Sequence, residues 1–346
     1  MTIDIRTADT RALLGVVNAL YQPSTWLLDK FFPSAVQFED QYIHFDKIVE
    51  GRKLAPFVHP DVKASRQQSG ATQVSSIEAP YIKLDEAVKP GRALKRRAGE
   101  PLGGDLTPEE RFNAIALDVL DGQRKQILRT KEWMAAQMLV NGKVTLTGEG
   151  YAEPIVLDFN REAALDVALT GGDRWGEAGV SVLDDLEDWA INVQDACGVA
   201  PNEVVMDLSA WRKARKDAAF LEALDNRRGG GNAQIELGPI SPDDVSHARY
   251  VGTSGDFDFY VYQQTYKTEA GTVAKFLPEN TVLMGSAALE GVQAHAAIQS
   301  VDTFQPLEMA PRTYEERNPD RLIAETQSAP VVFPMNVNGS MRATVG

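Results

Sequence analysis

Residues 107–142 constrain the chain more than any other stretch. Thr107-Pro108-Glu109-Glu110 sets a threonine at an N-cap, a proline at the first helical position and a glutamate at the third, the reciprocal pattern of a capping box. Apolar residues follow at helical spacing: Phe112, Ile115, Ala116, Val119, Leu120, Ile127, Met134 and Met138, with Leu139 beside the last. The pattern stops at Asn141-Gly142, where glycine suits a left-handed helix end. The spacing predicts roughly 35 residues, or about 50 Å of helix at 1.5 Å per residue. Gly122 and the polar run Gln123 to Gln126 weaken its middle, the natural place for a bend.

The text before this helix is of a different kind. Residues 1–37 read as an arm: a short helical pattern (Ala12, Leu13, Val16, Val17, Leu20), then Trp26, Phe31 and Phe32 between Pro23 and Pro33. The arm is too short to bury those aromatics alone, so it packs on the body of this chain or on a neighbour. Residues 38–50 alternate apolar and polar, as a strand does. Residues 51–103 are punctuated by proline and glycine, with short extended runs such as Gln73-Val-Ser-Ser-Ile-Glu78 and Tyr81-Ile-Lys-Leu84. A connection of that length without a compact pattern calls for a function of its own.

After the helix, residues 143–159 form two extended runs about a glycine-rich turn, a hairpin. The pattern then becomes α/β: a helix over 181–197, a strand over 203–207, helices over 208–215 and 217–225, and strands near 248–252, 257–262 and 281–284. Residues 323–346 close the chain as extended segments broken at Pro330 and Pro334.

A chain of 346 residues exceeds what one core usually holds, so two lobes are expected. Hydrophobic residues at 43% and charged residues at 24% suit a folded protein. No apolar run approaches the ~20 residues of a membrane span, and the opening Met1-Thr-Ile-Asp-Ile-Arg6 does not read as a signal peptide. With a net charge of −14, the chain does not condense on nucleic acid through its overall field. If it surrounds DNA, it contains it rather than grips it; acidity serves solubility equally well. The single cysteine, Cys197, excludes intramolecular disulfides and reads as a buried small hydrophobe.

The chemistry-bearing residues do not assemble into a reacting set. His44, His59, His247 and His295 are scattered, without zinc-ligand spacing. Arg227-Arg228-Gly-Gly-Gly-Asn232 follows a helix and lacks the ending of a phosphate loop. Asp184, Asp185, Glu187 and Asp188 crowd the start of a helix, where negative charge is favourable without a metal. Lys95-Arg96-Arg97 is either a solvated turn or a contact with an acidic neighbour. No catalytic, cofactor or metal site is expected, and the chain reads as no enzyme.

The order of parts, together with several segments, carries a resemblance. Those segments are Ala79-Pro-Tyr-Ile-Lys83, Glu132-Trp-Met-Ala135, Gly142-Lys-Val-Thr-Leu-Thr-Gly-Glu149, Gly171-Gly-Asp-Arg-Trp175, Leu224-Asp-Asn-Arg-Arg-Gly229, Lys275-Phe-Leu-Pro-Glu-Asn-Thr281 and Thr326-Gln-Ser-Ala-Pro330. In order, from about residue 50 onward, they resemble the lambda-type major capsid (major head) protein family of tailed phages. The resemblance implies an α+β fold of the Hong Kong 97-like phage capsid type. Its parts would be an N-terminal arm (1–37), a peripheral-domain strand (38–50), an extended loop (51–103), a peripheral domain with spine helix and hairpin (104–175) and an axial α/β domain (176–289). Peripheral strands with a three-fold loop (290–322) and C-terminal strands of the axial domain (323–346) would follow.

It further implies hexamers and pentamers closing into an icosahedral virion shell around double-stranded DNA, assembled in the host cytoplasm without membrane or cofactor. Portal, maturation protease, a separate scaffold protein and a decoration protein in place of covalent cross-links would be its partners. The expected subunit-interface residues are Trp26, Phe31, Phe32, Ile77, Tyr81, Lys95, Arg96, Arg97, Arg227, Arg228, Glu308, Arg312, Glu315 and Arg317. The loop 51–103, with Val74, Ile77, Tyr81, Ile82 and Leu84, is expected over a neighbour, 226–240 at the capsomer centre, and 303–320 as a loop at the local three-fold axes. There, Arg312→Ala should weaken assembly more than folding. An encapsulin-type nanocompartment would share the order of elements, and an enzyme built on the 176–289 lobe is a second alternative.

Overall fold

The computed structural model describes residues 25–48, 72–95, 106–149, 151, 153–224, 248–268, 270–300 and 305–346, with the backbone alone at 44–48 and 72–77. The first elements are α1 (Trp26–Phe31), β1 (Ser34–Gln37), β2 (Tyr42–Ile48), β3 (Thr72–Glu78), β4 (Ile82–Val88) and α2 (Pro90–Ala93). Then come α3 (Pro108–Asn141), β5 (Lys143–Leu146), β6 (Ile155–Asp158), β7 (Asp166–Ala168), α4 (Val182–Cys197), β8 (Glu203–Met206), α5 (Leu208–Ala214) and α6 (Ala218–Ala223). The remainder is β9 (Ala248–Ser254), β10 (Phe257–Tyr262), β11 (Thr265–Lys267), β12 (Val273–Lys275), β13 (Thr281–Gly285), β14 (Gly291–His295), β15 (Ala310–Arg317), β16 (Asp320–Ser328), β17 (Pro330–Pro334) and β18 (Ser340–Thr344).

The capping box is formed. The Glu110 amide donates to the Thr107 hydroxyl at 3.2 Å, and the Thr107 amide to the Glu110 carboxylate at 2.9 Å. The carboxylate is held below its ordinary pKa by those hydrogen bonds from Thr107. At the other end Gly142 adopts φ +64° and donates to the Met138 carbonyl. Between them α3 runs for 34 residues and stays helical through Gly122. The polar middle that looked weak in sequence is engaged: Gln123 is buried, donates to the Ala324 carbonyl at 2.9 Å and accepts from the Thr326 hydroxyl at 2.7 Å.

Separate cores lie along this rod. At its N-terminal half, Val88 of β4 and Leu322 and Ala324 of β16 cover Ile115, Ala116, Val119 and Leu120. At its C-terminal half, Met134, Ala135, Met138 and Leu139 join Leu27, Leu28, Phe31 and Phe32 from α1 and Val331 to Phe333 from β17. The third core belongs to a six-stranded sheet of order β7-β18-β13-β8-β10-β9. Against it pack Leu186, Trp189 and Val193 of α4, Ala210 and Trp211 of α5 and Phe220 of α6, with Trp175 stacked on Trp189 at 5.7 Å.

Two glycines explain how α1 seats. A Cβ at Gly291 would collide with the Phe31 carbonyl and the Phe32 ring, and one at Gly285 with the Phe31 ring. From α1 the chain continues into β1, which pairs in parallel with β14.

Several expectations are corrected by the strand pairing. Part of the stretch read as one loop, 51–103, belongs to the body: β4 pairs with β16 from Leu322↔Val88 to Ser328↔Ile82. The segment 303–320 is not a loop throughout; β15 and β16 form an antiparallel hairpin whose closing pair is Arg317↔Asp320. The segments of 323–346 divide among three sheets: β16 beside β15 and β4, β17 beside β14, and β18 beside β13 and β7. The segment 226–240 lies outside the described residues.

Candidate assembly surfaces

The first candidate surface was the aromatic arm. Within the described residues it is spent on the chain itself. The Thr25 hydroxyl donates to Asp29, leaving the first-turn amides of α1 without a local cap. Glu132 of α3 takes them: Leu27 N–H and Leu28 N–H donate to its two oxygens at 3.0 and 2.9 Å, and the Tyr262 hydroxyl donates at 2.7 Å. Glu132 is 2% exposed, and burial pushes its carboxyl up to about 6 against those three hydrogen bonds. Trp26 lies on Tyr260 and Tyr262 with centroids at 5.1 and 6.0 Å. Phe31 and Phe32 are buried. The expected interface roles of Phe31 and Phe32 are therefore corrected, because side chains covered by their own subunit present no surface to a neighbour.

Glu132 was not singled out from the sequence as a functional residue. A signal was there: Leu128, Glu132, Ala135 and Leu139 fall on one helical stripe, and the other three are core residues. A carboxylate inside an apolar stripe needs hydrogen-bond partners from elsewhere in the fold.

The second surface is the sheet β15-β16-β4 with the ribbon beside it. Tyr81 is half-buried and its hydroxyl donates to Gln327, while Ile82 and Leu84 pack on Ile127, Leu128 and Met309, so these three serve the chain's own core. The side chains of Val74 and Ile77 lie outside the described residues. The ribbon β2–β3 runs in register from Tyr42↔Glu78 to Ile48↔Thr72, with Ile43 buried at its base. Among the described residues its strands pair only with each other.

The expected three-fold charges sort into two groups. Arg312 binds buried Glu325 at 2.9 Å, and Lys83 approaches the same carboxylate at 3.7 Å. Exposed Glu308 binds buried Lys131 at 2.8 Å, which with His295 and Arg124 holds its carboxyl below the ordinary value against partial desolvation. His295, buried beside Lys131, is pushed down to about 4. Arg312 and Glu308 thus act within the subunit. Glu315 and Arg317 are exposed on the hairpin.

The third surface is basic. Lys89, Arg92 and Lys95 are exposed about α2, and Arg96, Arg97, Arg227 and Arg228 lie outside the described residues. Arg111 of α3 is buried and braces this turn, donating to the Ala93 carbonyl at 2.8 Å and the Leu106 carbonyl at 3.1 Å. Cys197, expected to be buried, is half-buried, with its sulfur 3.2 Å from the Val199 carbonyl oxygen. No group of three or more possible metal ligands occurs among the described residues.

A long helix with sheets along it and a six-stranded sheet flanked by helices make a mixed α/β fold of the kind that solved phage capsid proteins share. A solved structure described as the putative capsid protein of a prophage of Escherichia coli CFT073 matches with a TM-score of 0.76 at 22% identity, over 98% of this chain and 99% of that one. The capsid of cyanophage P-SCSP1u matches with a TM-score of 0.51 at 8% identity, over 94% and 90% of the two chains. The chain belongs to the phage major capsid protein E family, whose model matches residues 9–345. The major capsid protein of Escherichia phage lambda is 27% identical over 330 residues, covering 94% of this chain and 95% of that one. That of Enterobacteria phage P21 is 28% identical over 330 residues, covering 93% and 94%. The chain is a structural subunit of a tailed-phage capsid, and its place is the virion.

Proposed function

We propose that the chain closes into rings of six and of five that tile an icosahedral head around double-stranded DNA, with its six-stranded lobe at the ring axis and the sheets along α3 at the periphery. The observation that carries this reading is the ribbon β2–β3, which pairs with no other strand among the described residues. An isolated two-stranded ribbon is marginal in water. A neighbouring subunit supplies the surface it needs, so the ribbon portion of the 51–103 segment lies over the next copy while β4 stays on its own subunit.

A net charge of −14 suits a wall that contains DNA without gripping it. On this reading the chain does no catalysis and needs no cofactor; assembly takes place in the host cytoplasm with a scaffold, a portal and a decoration protein. Electron microscopy of purified particles tests it. Closed shells with one portal vertex and nuclease-protected DNA are expected. Shells filled with protein cargo would favour the nanocompartment, and a small soluble oligomer would favour the enzyme.

A further inference from the structure

The basic turn at α2 and the exposed face of α4 carry opposite charge, each around one exposed aliphatic side chain. Residues 89–97 hold Lys89, Arg92, Lys95, Arg96 and Arg97 and no acid. In their midst Leu94 is 76% exposed. Arg92 shares Glu86 at 3.0 Å, an exposed pair that leaves the cluster strongly positive. The described part of the turn is anchored at Ala93, whose carbonyl accepts from the buried Arg111 guanidinium at 2.8 Å.

The α4 helix carries the opposite sign. Its sequence has Asp184, Asp185, Glu187, Asp188 and Asp195 and no lysine, arginine or histidine. Asp185 turns inward to accept from the Trp175 indole at 2.7 Å. Asp184, Glu187, Asp188 and Ile191 are exposed and recur at three- and four-residue spacing, so they form one stripe on the helix surface. Ile191 is 55% exposed within it. Each surface is thus an exposed aliphatic side chain flanked by like charges, of opposite sign on the two.

The two patches are anchored at different points of α3 within one chain. The turn is fixed to the first turn of α3 at Arg111, whereas the six-stranded lobe that carries α4 meets α3 from the Glu132–Tyr262 hydrogen bond onward, where Val205 and Leu283 share a core with Met134 and Met138. Twenty-one helical residues separate those points, about 30 Å. A contact between two different patches on identical chains is head-to-tail, and head-to-tail contacts close into rings when the rotation allows.

We propose that the α2 turn of one subunit docks on the α4 stripe of the next copy, with Leu94 set against Ile191 and Lys89, Arg92 and Lys95 facing Asp184, Glu187 and Asp188. This rests on the ring-forming reading above. The test reverses charge on each side in the full chain and follows assembly by sedimentation and electron microscopy. Arg92→Glu with Lys95→Glu, and separately Glu187→Lys with Asp188→Lys, should each lower the assembled fraction about tenfold or more. All four together should restore it.

As an independent arm, Leu94→Cys with Ile191→Cys in a Cys197→Ser background should give disulfide-linked multimers of the chain under mild oxidation. Single reversals that assemble like wild type, a fourfold variant no better than the single-sided ones, or oxidation yielding only monomer would each overturn the contact while leaving the shell reading intact. Normal assembly of the Arg92→Glu, Lys95→Glu variant with reduced DNA retention would assign the turn to phosphate instead, and also overturns it. Wild-type chain that forms no rings or shells under any of these conditions would remove the shell reading and this contact with it.

Discussion

Replacing Glu132 by glutamine isolates the consequence of burying an anion at the junction of α1, α3 and β10. The carboxylate accepts from Leu27, Leu28 and Tyr262, and the charged group that acts on it is Asp29 of α1, with Lys30 and Lys131 as charged sequence neighbours on the packing elements. Lys30 is engaged with Glu203 at 2.6 Å and Lys131 with Glu308 at 2.8 Å, while Asp29 adds repulsion. Burial therefore outweighs the three hydrogen bonds, and the carboxyl rises from 4.5 to about 6. A carboxyl raised in the folded state binds its proton more tightly there than in the unfolded chain. Its contribution to stability is fully present below about pH 4.5 and is lost as pH rises through about 6.

With about 1.4 kcal/mol per pH unit, the loss is about 2 kcal/mol. Glutamine cannot titrate, so the difference in unfolding free energy between wild type and Glu132→Gln should change by about 2 kcal/mol between pH 4.5 and pH 7.5. The variant also loses one acceptor, which costs about 1–3 kcal/mol. That cost shifts the whole curve, so the variant's deficit should be about 2 kcal/mol larger at pH 4.5 than at pH 7.5. Urea unfolding of unassembled subunits at a series of pH values measures this. Subtracting the variant removes the opposite trend of His295, which is lowered from 6.5 to about 4 and so costs stability as pH falls across that window. A difference that stays flat with pH, or a wild type that gains on the variant as pH rises, would refute the argument.

Gly291→Ala should destabilise the subunit by several kcal/mol, about 3 or more, because its Cβ meets backbone and a packed ring rather than a flexible side chain; thermal unfolding that leaves Tm unchanged would count against the seating of α1. Arg312→Ala should now act on folding first, reversing the expectation drawn from sequence: it strips Glu325, 1% exposed, of its nearest cation at a cost of about 3 kcal/mol. Stable, folded subunits that fail only in assembly would restore the original view. Purified heads boiled in detergent should run as one band near 37.9 kDa with a smaller companion protein; a ladder of linked subunits would exclude non-covalent strengthening.

What the sequence disclosed depended on how local the determinant was. The capping box at Thr107 and Glu110 and the αL glycine at Gly142 act within a few residues, so both ends of α3 were legible. The pairing of β4 with β16 joins residues more than two hundred positions apart, and the proline- and glycine-rich text around β4 concealed it. Pro311 made 303–320 read as a loop, yet it sits in β15, an edge strand, where proline is tolerated. Pro330 and Pro334 bound β17, an edge strand of its own sheet, in the same way.

Interface residues are the harder case, because the hydrophobic effect is non-directional. Phe31 and Phe32 demanded a surface to cover, and nothing in their chemistry distinguishes their own subunit from the next. What does distinguish them is geometry. Gly285 and Gly291 clear the space that α1 needs, and Glu132 caps its first amides, so an interior seat already exists for those rings. Leu94 and Ile191 have no such seat among the described residues. They stand exposed within charge of opposite sign, and the proposed contact between subunits rests on that combination rather than on apolar character alone.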